Sequence, residues 1–157
     1  MNLNFITMGR LKKGWYSDAC AEYIKRLGAY ARVNVREPEP VALPQDPSAA
    51  QIAQALDKEA RVIRDNVSGF SVAMCVEGRQ LSSERLAAKI EELGNNGISC
   101  ISFIIGSSFG LSEGLKAECG LRLSMSEMTF PHELARVMLL EQVYRAFSII
   151  NNSKYHK

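Results

Sequence analysis

The residues able to do chemistry crowd into the last third of the chain. An apolar run, Ile101, Phe103, Ile104 and Ile105, stops at Gly106, and Gly110 and Gly114 follow at four-residue steps. Glycine lets a backbone approach a bound group closely. A buried strand feeding such a bend is where α/β proteins hold nucleotide-like ligands. The same pattern also describes a plain strand-to-helix turn with Gly106 as the breaker. It is neither G-x-G-x-x-G nor a P-loop, since no Lys-Ser/Thr pair follows the glycines. Downstream, His132 and Arg136 stand four residues apart and share one face of a helix's opening turns. Histidine titrates near neutral pH and serves as a base; arginine or a helix N-terminus holds phosphate or a developing anion. A second histidine, His156, follows Tyr155 in the closing Y-H-K.

Those two histidines are the only ones in the chain, which argues against a histidine-rich metal centre. The four cysteines, Cys20, Cys75, Cys100 and Cys119, are widely spaced without a C-x-x-C, so they read as reduced core residues and no zinc site is expected. With 157 residues, 46% hydrophobic and 23% charged, the composition predicts one globular domain over 1–157 with a proper core. No apolar run has the length of a membrane span and the start lacks a signal-peptide pattern, so the expected location is cytoplasmic, with no membrane partner. The net charge of +2 is uneven. Residues 1–36 hold seven basic side chains (Arg10, Lys12, Lys13, Lys25, Arg26, Arg32, Arg36) against Asp18 and Glu22, a balance of +5 that leaves −3 for the remainder. That bias suits a polyanion such as RNA, and it also fits a solvated charged face.

Strands and helices must alternate to position these groups. Met1 to Met8 reads as a strand ended by Gly9, and a basic loop R-L-K-K-G leads to a helix over about 15–31. Its stripe Trp15, Ala19, Cys20, Tyr23, Ile24 and Leu27 predicts that Trp15 and Tyr23 are core residues rather than base-stacking platforms. Residues 33–36 read as a strand, and four of the five prolines then mark 37–47 as a loop. Ser48 with Gln51 is a capping-box pattern opening a helix to about Asp65. Residues 70–76 read as an interior strand leaving through E-G-R, then a helix capped by Ser82 or Ser83 and closed by Gly94. Strands over 100–105 and 121–125 flank a short helix over 112–119. The alternation implies an α/β fold, a mainly parallel sheet with helices on both faces. The exits at 76–79 and 104–106 then share one edge. The last helix, from Pro131 to about Asn151, is apolar around much of its circumference, so it either packs in the interior or forms a homodimer interface, and the second is the expectation.

Four segments carry a resemblance: I-I-G-S-S-F-G-L-S at 104–112, S-M-S-E-M-T-F-P-H-E-L-A-R-V at 124–137, E-Q-V-Y-R-A-F at 141–147 and Y-H-K at 155–157. Over essentially the whole chain the sequence resembles the RlmH (YbeA) family of SPOUT-superfamily methyltransferases. The resemblance implies an α/β-knot with a C-terminal trefoil, a homodimer, S-adenosylmethionine as methyl donor without a metal, and N3 of pseudouridine 1915 in 23S rRNA of assembled ribosomes as acceptor. It implies cofactor contacts at Met74, Gly106, Met125, Ser126, Glu127, Met128, Thr129 and Phe130. Where the family commonly has an aspartate after the third strand's last apolar residue this chain has Cys75, and where it often has a second glycine this chain has Ser107. The N3 proton must leave, so His132, Arg136, Tyr155 and His156 are the candidates on the substrate side, the last two from a tail that a second copy could supply. Two other classes fit parts of the pattern: a non-catalytic ribosome-associated RNA-binding factor that keeps the fold, and a nucleotide-dependent α/β enzyme using the Gly106 loop for phosphate.

Overall fold

In the computed structural model, which describes residues 1–156 apart from the side chain of His156 and leaves Lys157 outside the described residues, five strands form one sheet. They are β1 (Asn2–Thr7), β2 (Arg32–Arg36), β3 (Phe70–Gln80), β4 (Cys100–Ile105) and β5 (Leu121–Ser124), in the order β2-β1-β4-β3-β5 with every pairing parallel. Strand periodicity sends alternate side chains to opposite faces, and both faces are covered. Leu3, Phe5, Val72, Ile101, Phe103 and Ile105 pack under α1 (Trp15–Leu27), α3 (Ser83–Asn95) and α5 (His132–Ile150). Ile6, Ala73 and Ile104 face α2 (Ala49–Asn66) and α4 (Glu113–Glu118) through Ala60, Ile63 and Leu115. Phe5 stacks on Phe103 with ring centroids 5.4 Å apart, at the register where β1 and β4 pair. No described helix is long and apolar enough to cross a membrane.

Local chemistry sets the helix starts. The expected capping box forms: Gln51 N donates to Ser48 Oγ at 3.2 Å and Ser48 N to Gln51 Oε1 at 2.8 Å. Ser82 caps α3 and Ser112 caps α4 by accepting from the third residue on, at 3.3 Å each. Pro131 stands at the N-cap of α5, where its missing N–H costs nothing.

Three expectations need correcting. Trp15 is not core: it is 67% exposed, and its ring stacks on Tyr16 with centroids 3.5 Å apart, while the stripe becomes buried only at Cys20 and Leu27. The third strand does not leave the sheet at Gly78. It runs to Gln80 with an excursion, since Met74 and Arg79 both pair with Leu123. Gly94 is inside α3, and Gly97, at φ +80°, takes the left-handed position after the helix. Within the chain, α5 also buries part of its apolar surface. Leu139, Leu140, Val143, Ala146 and Phe147 are buried, and the helix packs against both α1 and α3.

Candidate active site

The carboxyl ends of β3, β4 and β5 surround a cleft of about 480 Å³. Gly106, the first residue after β4, is buried at its floor. A Cβ there would lie 2.1 Å from the Gly110 carbonyl oxygen, so the chain folds back in a way only glycine permits. Gly110 N donates to Ser107 O at 2.8 Å and closes the turn, with Gly110 at φ +80°. Ser107 Oγ donates to Glu59 Oε2 at 2.8 Å, and the other Glu59 oxygen accepts from Val41 N at 2.9 Å. Thus Ser107 fastens the loop to α2 through a carboxylate only 4% exposed. Sequence reasoning missed Glu59; its signal is a carboxylate next to Ala60 on the inward stripe.

A second wall is the segment after β5. Ser124 Oγ donates to Ser126 O at 2.9 Å and Met128 N to Ser126 Oγ at 3.1 Å, which holds an irregular turn. The third wall is the β3 excursion through Met74, Cys75, Val76 and Glu77. Lys116 of α4, 7% exposed, ion-pairs with Glu77 of that excursion and with Glu113. Burial alone would lower its pKa, but the hydrogen bonds to Glu113 and Glu77 move it above the usual lysine value, so it stays charged. Burial, reinforced by the Glu77 carboxylate, pushes the Cys75 thiol up and leaves it protonated at neutral pH.

Seven of the eight residues expected at a cofactor line this cleft: Met74, Gly106, Met125, Ser126, Met128, Thr129 and Phe130. Glu127 is exposed and is not among the lining residues. His132 lines the rim. Arg136 does not join it. Its guanidinium is 4% exposed in a separate cavity of about 240 Å³ between β1, α1 and α5, where Nη2 donates to Met8 O at 2.7 Å and Gly9 O at 2.6 Å and Nη1 to Glu37 Oε1 at 2.9 Å. Burial pushes its pKa down and the Glu37 carboxylate opposes that shift.

Tyr155 lies elsewhere again. Its hydroxyl donates to Glu141 Oε1 at 3.2 Å, its ring meets Tyr144 edge-on at 4.7 Å, and the Arg145 guanidinium sits over it at 4.9 Å. Burial and the hydroxyl of Tyr23 push its pKa up, so it is no base near neutral pH. Glu141 is nine positions beyond His132, roughly 14 Å along the helix axis. Within one chain Tyr155 therefore does not meet the cleft. The side chain of His156 lies outside the described residues. Among the described residues no group of three His, Cys, Asp or Glu could hold a metal.

A parallel sheet with a cleft at its carboxyl ends, floored by a glycine bend and walled by an irregular methionine-rich segment, defines a class. The chain belongs to the SPOUT methyltransferase family: the family model described as "Predicted SPOUT methyltransferase" matches residues 1–156. More particularly, it is 44% identical over 161 residues to ribosomal RNA large subunit methyltransferase H of Bifidobacterium adolescentis and 42% identical over 159 residues to the protein of that name in Clostridium acetobutylicum, with 100% of each chain covered. The fold is shared with a solved "probable methylase family protein" of Haemophilus influenzae, at TM-score 0.58 and 14% identity over 99% of this chain and 70% of that one. It is shared also with a "probable methyltransferase" of Bordetella pertussis, at TM-score 0.54 and 15% identity over 92% and 95%.

Proposed function

We propose that the protein is an S-adenosylmethionine-dependent methyltransferase that methylates N3 of pseudouridine 1915 in 23S rRNA, acting in the cytoplasm as a homodimer on assembled ribosomes. The observation that carries this reading is the convergence of seven expected cofactor positions on one cleft of about 480 Å³, a volume in the range of cofactor sites. S-adenosylmethionine supplies a methyl group made electrophilic by its sulfonium. Met74, Met125, Met128 and Phe130 give the cleft apolar walls, which suit a reaction in which positive charge is lost. The backbone of 106–110 and 125–130 lies along the cleft, where peptide groups outside the two turn bonds would bond an adenine edge. The N3–H proton must pass to an acceptor as the new N–C bond forms, and His132, at the rim, is the base this chain offers there. Tyr155 packs on α5 away from the cleft of its own chain, so its part in this reading is to be supplied to the cleft of a second copy.

The test is transfer of a tritiated methyl group from S-adenosylmethionine to assembled ribosomes lacking the modification, with mass spectrometry of the 23S product. Label on N3 of that pseudouridine is the expected result. Cofactor binding without transfer would remove the substrate assignment, and ribosome binding without cofactor binding would favour the non-catalytic RNA-binding factor. A melting shift with ATP or NAD would favour the nucleotide-dependent enzyme.

The RNA surface is expected at the same edge. Arg10, Lys12 and Lys13 are exposed on the loop that follows β1, whose last residue, Thr7, pairs with Ile105 beside the cleft floor. Replacing all three by alanine is expected to weaken ribosome binding and reduce the slope of log Kd against log salt by up to about three charges' worth. An unchanged slope would remove the patch from the interface.

A further inference from the structure

Trp15 is the chain's only tryptophan, and at 67% exposed it is among the most open large apolar side chains. Its ring stacks on Tyr16 with centroids 3.5 Å apart, and the rest of its surface is open. Its surroundings argue for a nucleic acid. Arg10, Lys12 and Lys13 precede it within five residues, all exposed, and among the described residues Lys12 and Lys13 make no ion pair. Arg10 reaches Glu39 only at 3.7 Å, with both side chains at least three-quarters exposed. The loop is not a loose tether: Gly9 N donates to Pro38 O at 2.7 Å, Leu11 N to Glu37 Oε1 at 3.4 Å, and Arg136 holds the Met8 and Gly9 carbonyls. At its far end Gly14 N donates to Ser17 Oγ at 3.2 Å and starts α1. Cations that track a phosphate backbone, next to an aromatic face that accepts an unstacked base, are the two parts of a single-strand nucleic-acid site.

We propose that Trp15 is a stacking platform for an unpaired base of the RNA, flanking the nucleotide that enters the cleft, with Arg10, Lys12 and Lys13 on the adjoining phosphates. The inference rests on the RNA-methyltransferase reading and adds to it a contact made by ring overlap instead of charge. A stacked base is worth about tenfold or more in affinity. Because the indole is neutral, its removal leaves the count of displaced counterions alone.

The experiment is equilibrium binding of the full-length chain to unmodified ribosomes over a range of salt concentrations. Wild type, Trp15→Ala and Trp15→Phe are compared, and sedimentation of each free protein is run alongside. The expected result is a Kd about tenfold weaker for Trp15→Ala at every salt concentration with an unchanged salt slope, recovery of most of that loss by Trp15→Phe, and the same oligomeric state in all three. Wild-type affinity in Trp15→Ala overturns the proposal while leaving the methyltransferase reading intact. A change of oligomeric state in Trp15→Ala also overturns it, since Trp15 would then belong to a contact between copies. Failure of the wild type itself to bind ribosomes removes the underlying RNA reading and this contact with it.

Discussion

Gly106→Ala is expected to weaken S-adenosylmethionine binding by at least about tenfold and to lower stability by about 3 kcal/mol, the upper part of the range for forcing an extra methyl into a packed site. The added Cβ would stand 2.1 Å from Gly110 O, 2.4 Å from Gly110 C and 3.0 Å from Leu111 Cδ2. Only the leucine methyl can yield easily. The Gly110 backbone is held by its bond to Ser107 O, and Ser107 is tied through Glu59 to α2, so relief must come from moving the whole floor of the cleft. For a chain of this size the melting temperature should fall by roughly 6–12 °C. Calorimetric titration with the cofactor and urea unfolding report the two losses separately. The internal control is Gly114→Ala. That glycine lies in α4 with nothing within 4 Å of where an alanine methyl would stand, so alanine there should keep cofactor affinity and raise stability by up to about 1 kcal/mol. Wild-type cofactor affinity in Gly106→Ala would mean that the 106–110 bend is not part of the site.

Those glycines mark what the sequence shows and what it hides. Gly106, Gly110 and Gly114 are one evenly spaced pattern in the sequence, yet the first is required by backbone approach, the second by a positive φ, and the third by neither. Alternation and capping are local, so the parallel α/β order, the Ser48 box and the exit of β4 at Gly106 are all readable. The exposure of Trp15 is not, because a helical stripe says which side chains share a face and not where the covering layer ends. The β3 excursion is similarly hidden: V-E-G-R reads as an exit, and only pairing of Met74 and Arg79 with the same Leu123 keeps the strand in the sheet. The positions expected at a cofactor rest on family resemblance alone; no periodicity or spacing singles them out. Threading of a chain leaves no residue signature, so the trefoil that the resemblance implies has no counterpart in periodicity.

The pair His132 and Arg136 carries the largest divergence between pattern and placement, and it yields the second prediction. Four helical residues advance the side chain by about 6 Å along the axis and about 40° around it, enough to send a histidine to the cleft rim and a long arginine into the neighbouring cavity. There the guanidinium joins three elements: α5, the Met8 and Gly9 carbonyls at the root of the basic loop, and Glu37 after β2. Arg136→Met keeps the aliphatic bulk and removes the charge. Glu37, with its side chain 32% exposed, can turn toward water, but the two carbonyls lose their donor, and the expected loss is about 3 kcal/mol, at the low end for breaking a buried ion pair. Arg136→Lys should recover little, because a single ammonium cannot span acceptors that a planar fork reaches together. The separation of roles is then measurable. A positioning arginine predicts a lower urea midpoint, weaker ribosome binding through a loosened 10–13 loop, and unchanged calorimetric affinity for the cofactor below the unfolding transition. An arginine acting on the substrate predicts wild-type stability with methyl transfer lost. The buried geometry commits to the first outcome, and it leaves His132 as the only member of the pair that lines the cleft.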